Sequence, residues 1–213
     1  MKSGLNAVLG LFLVCVKIHA ATLFSEDFEK GLTKRWEPVK FQGLTEYSIV
    51  KEDENSVLQA HADKSATGLG AKAEFEVKPN TKFTWRWKLD KTPPGASDDT
   101  KRTFDHTVRI FVAFKTAFGP PRTINYVWSA SAPVGKTFHH PSSGRARFIV
   151  LENGNSKAGQ WVGESRDLHA DWKLLFGDDD PPNVVSVGLM TDSDGTASTV
   201  TGWYDDLLIA SPN

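Results

Sequence analysis

The stretch Thr84-Trp85-Arg86-Trp87-Lys88-Leu89 alternates apolar and polar side chains without interruption. In a strand, successive side chains point to opposite faces. Trp85, Trp87 and Leu89 therefore share one face, and Arg86 and Lys88 share the other. This period of two predicts a half-buried β-strand rather than an amphipathic helix.

Short segments of the same kind continue along the chain, separated by turn-forming residues. One short helix is predicted around His169–Phe176, led by Asp167. The predicted strands are Leu23–Phe28, Tyr47–Lys51, Val57–Ala62, Gly68–Val77, Lys82–Leu89, Thr107–Phe114, Thr123–Trp128, Arg145–Leu151, Gln160–Asp167, Asn183–Thr191 and Val200–Ala210. This spacing predicts an all-β fold, a single antiparallel β-sandwich with at most one short helix.

Alternation also predicts which residues share a face in two later strands. In Thr107–Phe114 the two faces carry Ile110, Val112 and Phe114 on one side and Arg109, Phe111 and Ala113 on the other. In Arg145–Leu151 they carry Ala146, Phe148 and Val150 opposite Arg145, Arg147 and Ile149. Several strands are therefore expected to have one apolar face and one face with basic groups.

The N-terminus has the three parts of a secretory signal peptide. Lys2 is followed by the apolar run Leu5–Val16 and then by the small pair Ala20 and Ala21. The run is shorter than the roughly 20 apolar residues that span a bilayer. Residues 1–20 are therefore predicted to be a signal peptide, and residues 21–213 a single periplasmic or secreted domain.

Charge and cysteine content narrow the class of partner. Lys2 and Lys17 are two of the 25 basic residues, so residues 21–213 keep 23 against 26 acidic ones, a formal charge of −3. This balance argues against nucleic acid or an anionic membrane as partner. The single cysteine, Cys15, lies in the predicted signal, so no disulfide is expected. We predict no integral membrane segment after it.

Several ordered motifs resemble one bacterial protein family. They are Thr84–Lys88, Asp105–Val112, Asn125–Ser129, Gly159–Asp167, Asp171-Trp172 with Phe176-Gly177, and Thr191–Thr196. Together they resemble the domain-of-unknown-function family 3047 over nearly the whole of residues 21–213. That resemblance identifies a family and implies no reaction.

Both chain ends resemble concanavalin-like jelly rolls. The segments concerned are Phe24–Phe28 with Trp36, and Gly202–Leu207. The resemblance implies that the first and last strands pair and that a curved sheet binds sugars. Because one fold carries many functions, this is an expectation by analogy only.

Candidate ligand-binding residues combine charge with aromatic surface. Arginine holds carboxylates or sugar hydroxyls through its planar fork, and an indole offers a flat apolar face. The candidates are Arg86, Arg109, Trp128, Arg147, Trp161, Arg166 and Asp171. The alternative is structural, with the charges forming ion-pair networks and the tryptophans forming core.

Glycoside cleavage would need two carboxyl groups, one acting as acid and the other as base or nucleophile. Glu164 is the first candidate, and Asp105 or Asp171 is the second. The Glu-x-Asp-x-x-Glu pattern of sandwich-fold glucanases is missing from the sequence. Whether the protein is an enzyme therefore stays open.

The segment Asp192-Ser193-Asp194-Gly195-Thr196 alternates acidic with small residues, as in loops that offer oxygen ligands to calcium. A structural calcium at Asp192 and Asp194, completed by Asp205 or Asp206, is one interpretation. A plain hairpin turn is the other. No other cofactor is expected.

Three functions remain open. The first is a non-catalytic domain that binds carbohydrate or a cell-envelope glycan. The second is a carbohydrate-active hydrolase or lyase on the same sheet. The third is a structural periplasmic protein whose charged residues only stabilise the sandwich.

Overall fold

The computed structural model describes residues 20–178 and 180–212. The predicted signal peptide, except for Ala20, lies outside the described residues. Within the described ranges, no helix has the length and apolar character required to cross a membrane.

Thirteen strands of the described chain form two sheets. The six-stranded sheet contains, in spatial order, β11 (Val162–Asp167), β6 (Lys82–Leu89), β13 (Thr199–Ser211), β4 (Asn55–Asp63) and β3 (Glu46–Glu52), with β1 (Ala21–Glu26) also paired to β13. The seven-stranded sheet contains β2 (Trp36–Gln42), β5 (Ala66–Phe75), β12 (Val184–Asp192), β7 (Arg109–Phe114), β8 (Arg122–Ser129), β10 (Ser143–Asn153) and β9 (Thr137–His140). The predicted β-sandwich is thus confirmed.

Every predicted strand forms, with small shifts at the ends, and the first and last strands pair as the jelly-roll resemblance implied. Two strands were missed. β2 contains Pro38 and is mostly exposed, and β9 lies within a polar connection, so neither has a clear period. Among the described strands, β8 and β10 form the one parallel pair, a departure from the antiparallel prediction.

The core lies between the sheets and follows the alternation of β6. Trp85, Trp87 and Leu89 are all buried, whereas Arg86 and Lys88 are half-buried on the opposite face. Trp85 packs on Tyr126 of the other sheet, with ring centroids 5.0 Å apart. The faces predicted for β6 are therefore correct.

A second, smaller core covers part of the outer face of the seven-stranded sheet. Phe104, from the loop before β7, packs there with Val127, Phe148 and Val150. β10 is therefore apolar on both faces, because Ile149 points into the main core. The predicted division of this strand is correct, with Arg147 and Ile149 opposite Phe148 and Val150, and the loop shields the Phe148 face from water.

The predicted helix is α1, Leu168–Phe176. The Asp167 carboxylate accepts hydrogen bonds from the backbone N–H groups of His169 and Ala170, both at 3.1 Å. Such an N-cap satisfies amides that have no partner within the helix. Gly177 ends the helix in the left-handed conformation, at φ 78°.

Candidate functional site

Three neighbouring glycines, Gly68, Gly70 and Gly188, lie on the outer face of the seven-stranded sheet. Residues directly opposite one another in neighbouring strands share a face. One row across the sheet reads Phe148, Asn125, Phe111, Gly188, Gly70, Glu37. The next row includes Gly68 beside Met190. The glycines leave a trough in the middle of this face.

Phe111 lies across this trough on top of a glycine. A Cβ atom built on Gly188 would stand 2.1 Å from Cζ of Phe111, closer than any real contact. The ring can therefore occupy this position only because Gly188 has no side chain. Phe111 is half-buried, so part of its ring still contacts solvent.

The trough is the floor of a groove of about 630 Å³. One wall comes from edge strand β2, with Val39 and with Phe41, which is 67% exposed. The opposite wall is formed by Phe104 and His140, whose rings pack 4.9 Å apart. Polar floor residues are Thr123, Asn125 and Ser186. This volume is typical of small-molecule sites.

Three carboxylates lie at one end of the groove. Oxygen atoms of Asp105, Asp192 and Asp194 are all within 4.8 Å of one another. The Arg109 guanidinium is 3.3 Å from Asp192 and also contacts the Met190 sulfur. Arginine thus neutralises part of the acidic charge.

This crowding changes the acidity of the carboxyl groups. Burial raises the pKa of Asp192, while the charge of Arg109 opposes the shift. Burial raises the pKa of Asp194 as well, and the negative charges of Asp105 and Asp192 add to the effect. Both groups are consequently easier to protonate than an exposed aspartate.

The carboxylates already have donors within the protein. Asp105 accepts hydrogen bonds from the N–H of Gly195 at 3.1 Å and from the N–H and hydroxyl of Thr196 at 2.6 and 2.7 Å. Asp192 accepts from the N–H of His106 at 2.8 Å. N–H donors compete with a cation for the same oxygens, so this set is a poor match to a calcium cage. Of the two interpretations of this segment, these contacts favour the plain hairpin turn.

A buried polar network anchors the wall that carries Phe104. The Asp98 carboxylate binds His106 Nε2 at 2.8 Å and accepts from the Ser129 hydroxyl at 2.5 Å. Burial alone would raise the pKa of Asp98, but the bonds from His106 and Ser129 hold that pKa below its usual value. The loop before β7 is thereby fixed to β8.

Comparison with known proteins identifies the family. The sequence profile of the protein family of unknown function DUF3047 matches residues 34–208. The chain belongs to this family. The predicted resemblance is confirmed, and a search of curated proteins found no match.

Solved structures similar to this DUF3047 chain are β-sandwiches. The cellulose-induced protein Cip1 has a TM-score of 0.50 at 15% identity, covering 88% of this chain and 97% of that one. The family 11 carbohydrate-binding module from Clostridium thermocellum, in complex with a β-1,3-1,4-mixed-linked tetrasaccharide, has a TM-score of 0.44 at 10% identity, covering 90% and 96%. A xylan-binding domain from Paenibacillus barcinonensis Xyn10C has a TM-score of 0.44 at 13% identity, covering 91% and 96%. At these identities the likeness concerns the fold.

Arg109, Asp105, Asp192 and Asp194 are the predicted site residues that meet in the groove of the DUF3047 chain. Two others, Arg86 and Trp161, lie instead on the six-stranded sheet. The guanidinium of Arg86 is 4.6 Å from the Trp161 ring centroid. It also binds Asp205 and Asp206, so these two aspartates do not join Asp192.

Four more predicted ligand-binding residues contact other residues of the protein and do not line the groove. Trp128 is 0% exposed and donates to the Gly154 carbonyl at 2.9 Å, so it is a core residue and not a stacking surface. Arg166 pairs with Asp171, which is buried and also accepts from Tyr126. Arg147 donates to a carbonyl of α1, that of Leu175. These contacts give all four residues a structural role.

Glu164 is apart from the groove, on edge strand β11, opposite Trp85 of β6. Burial raises its pKa to about 7, and the nearby charge of Glu152 adds to this shift. Its Oε1 atom is buried and has no hydrogen-bond partner within residues 20–178 and 180–212. Glu164 and Asp105 therefore do not share the groove as an acid and base pair.

Sequence reasoning missed the residues that shape the groove. Phe111 was placed on the correct face, but its role was not recognised, and Phe41 lies in the missed strand β2. The available signal was glycine within strands. Gly68, Gly70 and Gly188 interrupt otherwise regular strands, which indicates a close approach to a side chain or ligand.

Proposed function

We propose that the groove binds a carbohydrate chain without cleaving it. The observation that carries this proposal is the Phe111 ring lying flat over Gly188 on the floor. A flat aromatic face is suited to stacking against the apolar face of a sugar ring.

Groups around the ring suit sugar hydroxyls, which both donate and accept hydrogen bonds. Asn125, Thr123 and Ser186 supply amide and hydroxyl groups along the floor. Arg109 supplies a donor and Asp194 an acceptor at the acidic end. An apolar platform with a few polar groups around it is typical of small-ligand sites.

We further propose that the protein acts outside the cytoplasm, because residues 1–20 have the pattern of a signal peptide. N-terminal sequencing of the exported protein tests this. A chain beginning at Ala21 is expected, and retention of Met1 on protein recovered from the cytoplasm would contradict the proposal.

The test of binding is a titration of neutral and acidic polysaccharides, with release of product followed in the same samples. Phe111→Ala is expected to weaken the affinity at least tenfold, about 1.4 kcal/mol, with wild-type stability nearly retained. Phe118→Ala is the matched control, since Phe118 is 89% exposed and does not line the groove. Equal affinities of both variants would contradict the proposal.

A glycoside hydrolase is the second candidate, favoured by the carboxylates at the groove end. Their oxygens lie within 4.8 Å of one another, close to the roughly 5 Å spacing of retaining enzymes. Product release that is lost in Asp194→Asn, with binding kept, would establish this function in place of the first.

A further inference from the structure

Two loops close one end of the groove. The first contains Arg102 and Asp105, and the second contains Gly195 and Thr196. A Cβ built on Gly195 would lie 2.6 Å from the Arg102 carbonyl oxygen, so the loops are in tight contact. Asp105 joins them through its hydrogen bonds to the backbone of Gly195 and Thr196.

The contact between these two loops blocks this end of the groove, and two of its aspartates are buried beneath the loops. Asp105 is 3% exposed and Asp192 is 4% exposed. The other end is lined by small side chains, Ala113, Thr123 and Ala146. These short side chains leave room for a ligand to continue past this end, whereas the contact between the two loops blocks the other end.

The closed end offers both a donor and an acceptor. The Nε–H of Arg109, a residue only 9% exposed, is buried and has no hydrogen-bond partner among the residues that the structure describes. Asp194, an exposed residue, places its carboxylate at the same end of the groove. A sugar hydroxyl can accept from arginine and donate to carboxylate at once. A terminal sugar carries an unlinked hydroxyl at the place where an internal sugar continues into the next unit.

We propose that the groove binds the end of a glycan chain rather than its interior. This inference rests on the proposed carbohydrate-binding function and adds the mode of recognition. The terminal sugar lies against Arg109 and Asp194, the next one stacks on Phe111, and the rest of the chain leaves past Ala113 and Ala146.

Stoichiometry separates end binding from interior binding. The purified protein is titrated calorimetrically with the tetrasaccharide and with the long polymer of each glycan in a fixed panel. The panel is mixed-linked β-1,3-1,4-glucan, β-1,4-xylan, β-1,4-galactan and polygalacturonate. End binding predicts one protein per chain at both lengths, with affinities per chain that agree within a factor of about three.

Asp194→Asn tests the role of the closed end. We expect its affinity for the tetrasaccharide to fall about tenfold while the melting temperature stays the same. Glu54→Gln, an exposed acid in the turn between β3 and β4, is the matched control and keeps wild-type affinity. An unchanged affinity of Asp194→Asn would overturn the assignment of the terminal sugar to this end.

The outcomes distinguish the two proposals. Several proteins bound along one long chain, with Phe111→Ala still weakened, would overturn end binding and leave carbohydrate binding intact. An absence of binding to every glycan of the panel would overturn both.

Discussion

The outer faces of the two sheets differ in how their polar groups are used. On the six-stranded sheet, Lys88 binds Glu52 and its ammonium is 4.5 Å from the Trp203 ring centroid. Trp161 donates to the same glutamate at 2.9 Å. On the seven-stranded sheet, glycines leave an open groove in which the Phe111 ring contacts solvent. On the face richer in charged and aromatic residues, the side chains thus bind one another, whereas the other face has an open groove.

This difference shows that charged and aromatic side chains on a sheet face offer little to a ligand when they already bind one another. A cation that is bound by a carboxylate and covered by indoles has few groups left for a ligand. The half-buried Phe111 ring, in contrast, has a face that a ligand can contact. The comparison predicts that substitutions on the six-stranded sheet change stability, whereas substitutions in the groove change binding.

The largest effect is expected for Arg86→Met. It removes the partner of Asp205, which is buried, and an unpaired buried charge costs about 3 kcal/mol of unfolding free energy. Denaturant unfolding at pH 7 measures this loss, and glycan affinity should not change. A variant that keeps its stability but binds glycan tenfold more weakly would break the comparison.

The double variant Arg86→Met with Asp205→Asn sharpens this result. Removing both charges should restore part of the stability, because no uncompensated buried charge remains. A double variant no more stable than Arg86→Met would mean that packing of the arginine stem, and not its charge, carries the effect.

Gly188→Ala changes the groove on the seven-stranded sheet. The added Cβ forces the Phe111 ring off the floor, which we expect to weaken glycan affinity about tenfold and to cost about 1 to 2 kcal/mol of stability through overpacking. Gly163→Ala is the matched control on β11, because a Cβ there meets nothing within 4 Å. Equal glycan affinity and equal stability of the two variants would contradict the role of the glycines on the groove floor.

Glu164→Gln tests the one titrating group on the six-stranded sheet whose pKa is raised to about 7. A raised pKa in the folded state means that stability is complete below the usual pKa of 4.5 and falls as pH rises through 7. Glutamine mimics the protonated form, so the variant should gain about 1 kcal/mol at pH 8 after allowance for solvent screening, and nothing at pH 4.

Thermal unfolding at the two pH values measures this difference. Glu46→Gln, an exposed acid on β3, serves as control and should show no such pH dependence. A Glu164→Gln variant that is less stable than wild type at pH 8 would mean that the ionised carboxylate is stabilising.

The smallest effect is expected from calcium. Because Asp105 and Asp192 already accept hydrogen bonds inside the protein, adding calcium or a chelator should leave the melting temperature unchanged. A rise with calcium concentration, lost in Asp194→Asn, would establish the ion site by linkage of binding to folding.

The alternation of β6 was enough to predict its buried face, because a period of two fixes which side of a strand is buried, and the spacing of similar segments predicted the sandwich. The position of Asp167 likewise predicted the start of the helix. Alternation cannot show what covers an outer face. The burial of Phe148 depends on Phe104, which reaches it from a distant loop.

The candidate site was predictable only in part for the same reason. Asp105, Asp192 and Arg109 were recognised as polar residues in strand or turn segments, but their meeting depends on the pairing of β7 with β12. Arg86 and Trp161 looked equally suitable, since a sequence does not show that a charge already has a partner.

The pairing of the last strand also affects the order of folding. β13 lies at the centre of its sheet and pairs with β1, β4 and β6, so residues 199–211 are needed to join the β3–β4 and β6–β11 pairs into one sheet. Contacts this distant along the chain slow folding. A ribosome-bound chain could close the β3–β4 hairpin early, but the six-stranded sheet can assemble only after the C-terminal segment has emerged.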